Sequence, residues 1–110
     1  MVYFVSSGDI YGDTVSDLII GANRADPKGG IDAGKVYVIY GRENLPSTID
    51  LDWESADLVI CGDDPSDELG CSVSSGDING DGVDDLIIGA PYNDSPGGED
   101  AGVTYIIYCQ

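Results

Sequence analysis

Residues 74–91 read SSGDINGDGVDDLIIGAP, an acidic loop that leads directly into an apolar run. Residues 6–23 read SSGDIYGDTVSDLIIGAN, which repeats this stretch with a few loop positions altered. When the sequence is shifted by 68 residues, residues 5–41 and 73–109 align without a gap and are identical at 24 of 37 positions. Internal similarity at a long period indicates a propeller, a solenoid or an array of repeats.

The first repeat divides into four strand-like segments, residues 4–8, 17–22, 35–41 and 56–62. The apolar run DLIIGA at residues 17–22 predicts a central strand that is buried on both faces. The other segments carry residue types that strands favour, and clusters of Gly, Pro, Asp and Asn separate them as turns require. Because helical periodicity is absent and four antiparallel strands are typical of a propeller blade, the sequence predicts an all-β fold of β-propeller blades.

The two repeats correspond to two predicted blades. Residues 1–68 form one blade, and residues 69–110 form a second blade that lacks its last strand. A propeller typically needs at least four blades, which at this period means about 270 residues. The chain therefore predicts an incomplete propeller, which is either a piece of a longer protein or a protomer that completes a ring with copies of itself. Further propeller blades or self-association are expected in either case.

The charge of the chain limits its partners. There are 21 acidic and 4 basic residues, which give a formal net charge of −17. We expect no binding to nucleic acid or to anionic membrane surfaces, because both would be repelled. We also expect no membrane insertion, since no apolar run approaches the roughly 18–20 residues of a membrane helix. Clustered carboxylates instead indicate divalent cations, which relieve the repulsion between them.

The chain lacks histidine, which removes the usual general base and the commonest zinc ligand. Three cysteines, Cys61, Cys71 and Cys109, leave at least one thiol unpaired, and their spacing matches no zinc motif. A Cys61–Cys71 disulfide is compatible with the sequence but is not required by it. Because no set of nucleophile and base can be assembled, we expect that the chain is not an enzyme.

The second acidic loop, residues 77–85, has the composition of a cation site. With Asp77 as position 1, oxygen-bearing side chains stand at positions 1, 3, 5 and 9, and the backbone carbonyl of position 7 can join them. The predicted ligands are Asp77, Asn79, Asp81, the carbonyl of Val83, and Asp85. An all-oxygen set with several carboxylates selects a hard cation, and a flexible loop favours calcium over magnesium.

The remaining residues of the second loop have predicted roles as well. Gly80 and Gly82 permit backbone angles that a β-carbon would oppose. Ile78 and Val83 are expected to point away from the ion and to anchor the loop to the core. Asp84 is out of phase with the ligands and is expected to be solvated.

The first acidic loop, residues 9–17, is a degenerate copy of the second. Its predicted ligands are Asp9, Asp13, the carbonyl of Val15, and Asp17. Tyr11 replaces the amide at position 3, and a phenol cannot easily reach an ion from there. Thr14 replaces a glycine and resists a positive φ. We therefore expect calcium binding in this loop to be weak or absent.

Both repeats resemble FG-GAP repeats, the blades of the integrin alpha-subunit β-propeller and its bacterial relatives. The motifs that carry the resemblance are DINGDGVDD and DLIIGAP in the second repeat, and DIYGDTVSD and DLIIGAN in the first. Leu69-Gly70 stands where the family has Phe-Gly. The resemblance implies a calcium loop between the first two strands of a blade, on one rim of the propeller.

The resemblance also implies a location and a role. Family members are mostly extracellular or cell-surface proteins used in adhesion and protein binding, so we expect an unidentified protein or cell-surface ligand as the partner. The expected function is a calcium-binding, non-catalytic propeller segment in which calcium is structural. The alternative is the propeller portion of an extracellular hydrolase, phospholipase D-like or glycosidase-like. Residues 1–9, MVYFVSSGD, are not expected to be a signal peptide, because they lack a basic segment.

Overall fold

Seven β-strands make up the regular structure of residues 3–26, 30–45, 56–62, 66–91, 103–107 and 109, which the computed structural model describes. The strands are β1 (Tyr3–Gly8), β2 (Asp17–Ala22), β3 (Lys35–Ile39), β4 (Leu58–Cys61), β5 (Ser72–Gly76), β6 (Asp85–Ala90) and β7 (Val103–Ile107). These residues contain no helix, and hence none that could cross a membrane. The all-β prediction is confirmed for them, while residues 46–55 and 92–102 lie outside the described ranges.

The strands form two antiparallel sheets in simple sequence order. β1 to β4 form the first sheet and β5 to β7 the second, and each strand pairs with the next one along the chain. The register is the same in both sheets, since Ile19 pairs with Val38 and the equivalent Ile87 pairs with Ile106. The two DLIIGA segments are the predicted central strands. Sheets of four and three antiparallel strands are consistent with partial propeller blades.

Each sheet has two faces, because successive side chains of a strand point to opposite sides. We define the forward face by Ile10, Ile19 and Val38 in the first repeat and by the equivalent Ile78, Ile87 and Ile106 in the second. We define the rear face by Val5, Leu18 and Ile20 in the first repeat and by the equivalent Val73, Leu86 and Ile88 in the second. These two names are used below for both repeats.

The main hydrophobic core lies where the forward face of the first repeat packs on the rear face of the second. Ile19, Val38 and Leu86 are fully buried there, and Ile10 is 4% exposed. Fully burying one large aliphatic side chain stabilises a fold by about 1.5–3 kcal/mol. The contact between the sheets is therefore a principal source of stability in the described residues.

The other two faces are open. On the rear face of the first repeat Val5 is 71% exposed and Leu18 is 39% exposed. On the forward face of the second repeat Ile78 is 50% exposed and Ile106 is 43% exposed. Two expectations are therefore wrong: β2 is not buried on both faces, and Ile78 does not anchor its loop to the core. Its equivalent Ile10 is buried because the second sheet covers it.

A short segment before β5, residues 66–70, joins the two sheets through the backbone. The N–H of Leu69 donates to the carbonyl of Ala33 at 3.0 Å, and the N–H of Gly70 donates to that of Gly89 at 3.0 Å. Gly21 of β2 lies so close to the carbonyl of Gly70 that a β-carbon at Gly21 would overlap it. The glycine of DLIIGA thus allows the two backbones to approach each other.

The three cysteines are free thiols, and none of them forms a disulfide. Cys61 is exposed on β4, whereas Cys71 and Cys109 are half-buried. The Cys61–Cys71 bridge that the sequence allowed is therefore not formed.

Candidate metal centre

The second acidic loop is wound around the carboxylate of Asp77. The N–H of Asp81 donates to Asp77 Oδ1 at 3.0 Å, and the N–H of Gly82 donates to Asp77 Oδ2 at 2.8 Å. Asp81 in turn accepts a bond from the N–H of Val83 at 3.0 Å. Such bonds from backbone to Asp side chains stabilise tight turns. The N–H of Gly82, with neighbouring amides, lowers the pKa of the Asp77 carboxyl below its ordinary value, so this exposed side chain is ionised at neutral pH.

Asp85, at position 9, lies in a different environment from Asp77. Its side chain is fully buried. Its Oδ2 accepts a bond from the N–H of Ile78 at 2.9 Å, and its Oδ1 accepts one from the N–H of Cys109 at 2.9 Å. Asp85 thus ties together the start of the loop, the start of β6 and Cys109, the second residue after β7. Because each carboxylate oxygen has a second lone pair, these bonds leave acceptor capacity for a cation.

The first acidic loop holds its first and ninth carboxylates in the same way. Three N–H groups donate to the Asp9 carboxylate at 2.7–3.0 Å, those of Gly12, Asp13 and Thr14. Three more donate to the buried Asp17 carboxylate at 2.8–3.0 Å, those of Ile10, Tyr11 and Gly41. Desolvation raises the pKa of Asp9, but its amide bonds outweigh that effect and the pKa lies below its ordinary value.

The two loops also share one backbone conformation. Gly12 and its equivalent Gly80 have φ values of 86° and 77°. Thr14 has a φ of 70°, and its equivalent Gly82 has a φ of 86°. The first loop therefore keeps the positive φ that Thr14 was expected to oppose. A left-handed conformation costs a residue with a β-carbon roughly 1–2 kcal/mol, so Thr14 is strained.

Replacing Thr14 by glycine is expected to stabilise the protein, because glycine removes the strain at a φ of 70°. We expect a gain of about 0.5–1 kcal/mol in the free energy of unfolding, since the freedom of glycine in the unfolded chain offsets part of the relief. The reciprocal change Gly82→Thr should cost a similar amount. Urea unfolding of both variants measures the effect, and a Thr14→Gly protein less stable than the original would contradict the assignment of strain.

Tyr11 makes an aromatic contact at the position where the second loop has an amide. Its ring centroid lies 4.7 Å from that of Tyr40, and the two ring planes are inclined by 38°. Aromatic pairs at this separation contribute about 0.5–1.5 kcal/mol beyond their buried area. The equivalent Asn79 is exposed in the second loop. The first loop has therefore replaced a predicted ligand with a packing contact to the residue after β3.

Asp84 joins the two loops, and the expectation that it is merely solvated is wrong. Its Oδ2 accepts a bond from the N–H of Asp9 at 2.9 Å, and its own N–H donates to the carbonyl of Asp9 at 3.1 Å. Nearby, the Ser75 hydroxyl donates to the carbonyl of Ser7 at 2.7 Å. The only sequence signal for this role is that Asp84 differs from its equivalent, Ser16. That difference does not reveal which partner Asp84 contacts.

The predicted ligands of the second loop lie in one turn. Their carboxylates do not converge on a common position where an ion could be bound. Among the residues that the structure describes, no three carboxylates or thiols converge closely enough to hold a metal ion. Asp77, Asn79 and Asp81 are exposed, and Val83 is half-buried beside Gly12 of the first loop. The donor set nevertheless fits a hard cation in its chemistry, because it combines an ionised carboxylate with further side-chain and carbonyl oxygens.

The predicted ligands of the first loop are distributed in the same pattern. Asp13 and Val15 are exposed, Asp9 is half-buried, and Asp17 is buried. In both loops the ninth-position aspartate begins a central strand and accepts backbone amides from residues that follow the first and the third strand of its repeat. The sequence identified these two residues from their spacing, but their contacts with Gly41 and Cys109 were not predicted.

Comparison with known proteins identifies the second repeat. The family model described as FG-GAP repeat matches residues 70–107. This chain carries an FG-GAP repeat. The resemblance seen in DINGDGVDD and DLIIGAP is thereby confirmed. The first repeat extends the likeness, because it shares 24 of 37 aligned positions with the second FG-GAP repeat.

Curated relatives of the FG-GAP chain are much longer proteins. Phosphatidylinositol-glycan-specific phospholipase D of Bos taurus is 38% identical over 105 residues, which cover 94% of this chain and 12% of the relative. Integrin alpha-PS2 of Drosophila melanogaster is 34% identical over 111 residues, which cover 96% of this chain and 7% of the relative. Integrin alpha-5 of Xenopus laevis is 30% identical over 125 residues, which cover 98% of this chain and 11% of the relative. The chain thus spans about a tenth of the length of these relatives.

Proposed function

We propose that this FG-GAP chain is a calcium-binding, non-catalytic segment of a β-propeller in a secreted or cell-surface protein, and that it acts in adhesion or protein–protein binding. Calcium has a structural role in this proposal. The observation that carries it is the second loop, which is wound by amide bonds around the ionised carboxylate of Asp77. The similarity to integrin alpha subunits supports the extracellular location and the role in binding.

Calcium suits the second loop better than magnesium does. Calcium takes six to eight oxygen ligands at about 2.3–2.6 Å in a flexible geometry, whereas magnesium demands a near-ideal octahedron and retains several waters. The proposed ligands are the side chains of Asp77, Asn79, Asp81 and Asp85 and the carbonyl of Val83. The first loop, with Asp9, Asp13, the Val15 carbonyl and Asp17, is proposed as a weak site, because Tyr11 supplies a ring where an amide oxygen is needed.

A bound ion would stabilise one edge of the molecule. The second loop joins β5 to β6, so a ligated loop would fix the ends of two neighbouring strands. Asp84 extends this effect, because it connects the second loop to Asp9 in the first. Residues that bind partner molecules often lie on exposed loops that a rigid scaffold holds in position. This arrangement supports a role in binding a protein or cell-surface ligand.

Calcium titration of the unfolding transition tests the metal site. Because the ion binds the folded loop and hardly the unfolded chain, the free energy of unfolding should rise by about 1.4 kcal/mol for each tenfold excess of calcium over its Kd. A chelator should reverse the rise. Asp81→Ala should abolish the response, whereas Asp13→Ala, the equivalent change in the first loop, should retain it.

The possible results of this titration lead to different conclusions about the metal site. An unfolding curve that is the same with and without calcium would refute the metal part of the proposal. A response that survives Asp81→Ala but disappears in Asp13→Ala would move the main site to the first loop. Magnesium at the same concentration should give a smaller rise, because this loop is suited to the larger ion.

The non-catalytic part of the proposal is supported by the chemistry available to the chain. There is no histidine. The adjacent acids Asp84 and Asp85 both accept bonds from backbone amides, and Asp85 is buried. An acid–base pair for glycoside hydrolysis needs two carboxyls that flank a substrate bond, and these two residues are engaged in holding the blade together.

A second candidate function is supported by the name of the bovine relative, a phospholipase D. In this alternative the chain is the propeller portion of an extracellular hydrolase, phospholipase D-like or glycosidase-like, and the catalytic groups lie elsewhere in a longer protein. The reading frames that flank the coding sequence distinguish the candidates. A hydrolase domain beside the repeats would favour the second candidate, and further repeats with no such domain would favour the first.

A further inference from the structure

The second acidic loop contains an asparagine that is followed directly by a glycine, Asn79-Gly80. The backbone nitrogen of the residue after an asparagine can attack the side-chain amide, and the reaction converts that amide into a carboxylate. This chemistry makes asparagine a thermolabile residue. The attack is fastest when the next residue is glycine, because no β-carbon hinders the approach of the nitrogen. The Asn79-Gly80 step therefore has the chemistry of a modification site.

The structure does not shield this step. Asn79 is exposed, and its side chain forms no hydrogen bond within the ranges that the structure describes. A β-carbon placed on Gly80 would have no heavy atom within 4 Å apart from the adjacent residues. The bonds that wind the loop run from the amides of Asp81 and Gly82 to Asp77, and they do not involve the Asn79 side chain. Packing therefore does not oppose rotation of the Asn79 amide toward the Gly80 nitrogen.

The exposure of Asn79 does not depend on what lies beside the second repeat. Tyr11 occupies the same position in the first loop, and the second repeat packs beside that loop, with Asp84 bonded to Asp9. Tyr11 is nevertheless 60% exposed. A further blade that packed on the second repeat in the same way would therefore leave Asn79 accessible.

The other asparagines among the described residues lack this combination. Asn23 is 6% exposed, and its Nδ2 donates to Glu68 Oε1 at 2.9 Å, so its side chain is held in place. Asn44 is exposed but precedes Leu45, whose side chain hinders the backbone nitrogen. Asn44 therefore serves as an internal reference, because it shares the exposure of Asn79 and lacks the glycine.

From these observations we infer that Asn79 is a site of spontaneous deamidation, and that calcium bound in the second loop suppresses the reaction. The first part stands on the exposed Asn79-Gly80 step alone. The second part rests on the proposed function, in which Asn79 is a calcium ligand. A side chain that is held against an ion cannot turn toward the Gly80 nitrogen, so the reaction occurs in chains whose second loop is empty.

The reaction needs only water as a co-reactant. The backbone nitrogen of Gly80 gives up its proton to solvent and attacks Cγ of Asn79, and the new C–N bond closes a five-membered imide ring. The bond from Cγ to Nδ2 breaks, and Nδ2 takes a proton from solvent and leaves as ammonia. Water then opens the ring on either side of the Gly80 nitrogen. Opening at Cγ gives aspartate, and opening at the backbone carbonyl carbon gives isoaspartate, in which the backbone runs through Cβ and Cγ.

Both products alter the proposed calcium site. Each adds a carboxylate, which is ionised at neutral pH, to a loop that already contains Asp77, Asp81 and Asp85. An aspartate at position 3 supplies a charged ligand, and the number of charged ligands tunes calcium affinity. An isoaspartate lengthens the backbone between positions 3 and 4, which displaces the early ligands relative to the later ones. The isoaspartate form is therefore expected to lose calcium binding, whereas the aspartate form retains it.

Incubation of the full chain at neutral pH and physiological temperature, with a chelator in one sample and calcium chloride in another, tests the inference. Peptide mapping by mass spectrometry locates each deamidated asparagine, and chromatography separates the aspartate and isoaspartate peptides. In the chelator, the peptide that contains Asn79 should deamidate well before the peptide that contains Asn44. At a calcium concentration about tenfold above the Kd only about a tenth of the loops are empty, so the rate at Asn79 should fall about tenfold.

Three variants separate the steps of the inference. Asn79→Gln keeps an amide, but its longer side chain cannot form the five-membered ring, so residues 77–85 should stay unmodified. Asn44→Gln is the matched control, and it should leave the rate at Asn79 unchanged. Asn79→Asp reproduces the aspartate product alone, so its unfolding should still respond to calcium, whereas the isoaspartate fraction of the incubated protein should have lost that response.

The results that would contradict the inference differ from those that would contradict the proposed metal site. In the chelator, an Asn79 peptide that survives as long as the Asn44 peptide would overturn the assignment of the modification site. If calcium raises the free energy of unfolding but leaves the rate at Asn79 unchanged, the suppression is wrong and the metal site stands. If calcium has no effect on unfolding, the metal site and the suppression both fail, and the chelator sample still decides whether Asn79 is modified.

Discussion

Replacing Asp17 by alanine is expected to lower the free energy of unfolding by about 2–4 kcal/mol, because three backbone N–H groups lose a side-chain acceptor. Asp17 is 1% exposed. It accepts bonds from Ile10, Tyr11 and Gly41, and the bond from Ile10 is buried. The N–H of Ile10 would keep only its longer bond to the carbonyl of Gly8, at 3.1 Å. The measurement is urea unfolding in the presence of a chelator, which removes any contribution from bound metal.

The matched control for this change is Asp13→Ala. Asp13 is an exposed carboxylate of the same loop, and its side chain accepts an exposed bond from the N–H of Val15. Its removal changes the net charge by the same amount and should cost less than about 1 kcal/mol. Equal losses in the two variants would show that the buried hydrogen bonds of Asp17 are not what holds the loop to the sheet.

Replacing Gly21 by alanine should destabilise the protein by about 1–3 kcal/mol or more, as overpacking of a tight contact does. The added β-carbon would overlap the carbonyl of Gly70, which is backbone and cannot rotate away. The sheets would have to move apart, and this would loosen the core around Ile19 and Leu86. Thermal unfolding at low protein concentration measures the loss.

The equivalent change in the second repeat, Gly89→Ala, should be mild. The β-carbon there would meet the hydroxyl of Ser72 at 2.5 Å, and a serine side chain can turn to another rotamer. Gly21 and Gly89 occupy the same position in DLIIGA. A Gly89→Ala protein as unstable as Gly21→Ala would mean that glycine is needed for the strand itself rather than for contact between the sheets.

The strands could be predicted from the sequence because their signals are local. Each DLIIGA run is continuous and apolar, and both became central strands with the same register. Burial could not be predicted in the same way. Leu18 and Leu86 have identical flanking residues, yet Leu18 is 39% exposed and Leu86 is buried. The difference arises from which sheet lies against each leucine, and a repeated local sequence carries no information about that.

The candidate site was predictable to a similar extent. The spacing of oxygen-bearing residues located both loops and identified Asp85 as the residue that closes the second one. Its bond to the N–H of Cys109 depends on a residue 24 positions away that follows β7. The conformation of Thr14 could not be predicted, since intrinsic preference disfavours a φ of 70° and the surrounding amide bonds to Asp9 impose it.

The hydrogen bonds between Asp9 and Asp84 have a consequence for how the molecule opens. The N–H of Asp9 belongs to the first repeat, but its acceptor, Asp84 Oδ2, belongs to the second. Separation of the two sheets breaks this bond even where the first loop keeps the amide bonds to its own Asp9 carboxylate. Exchange of this amide hydrogen with solvent therefore reports the opening of the pair of blades in addition to any fraying of the loop that contains it.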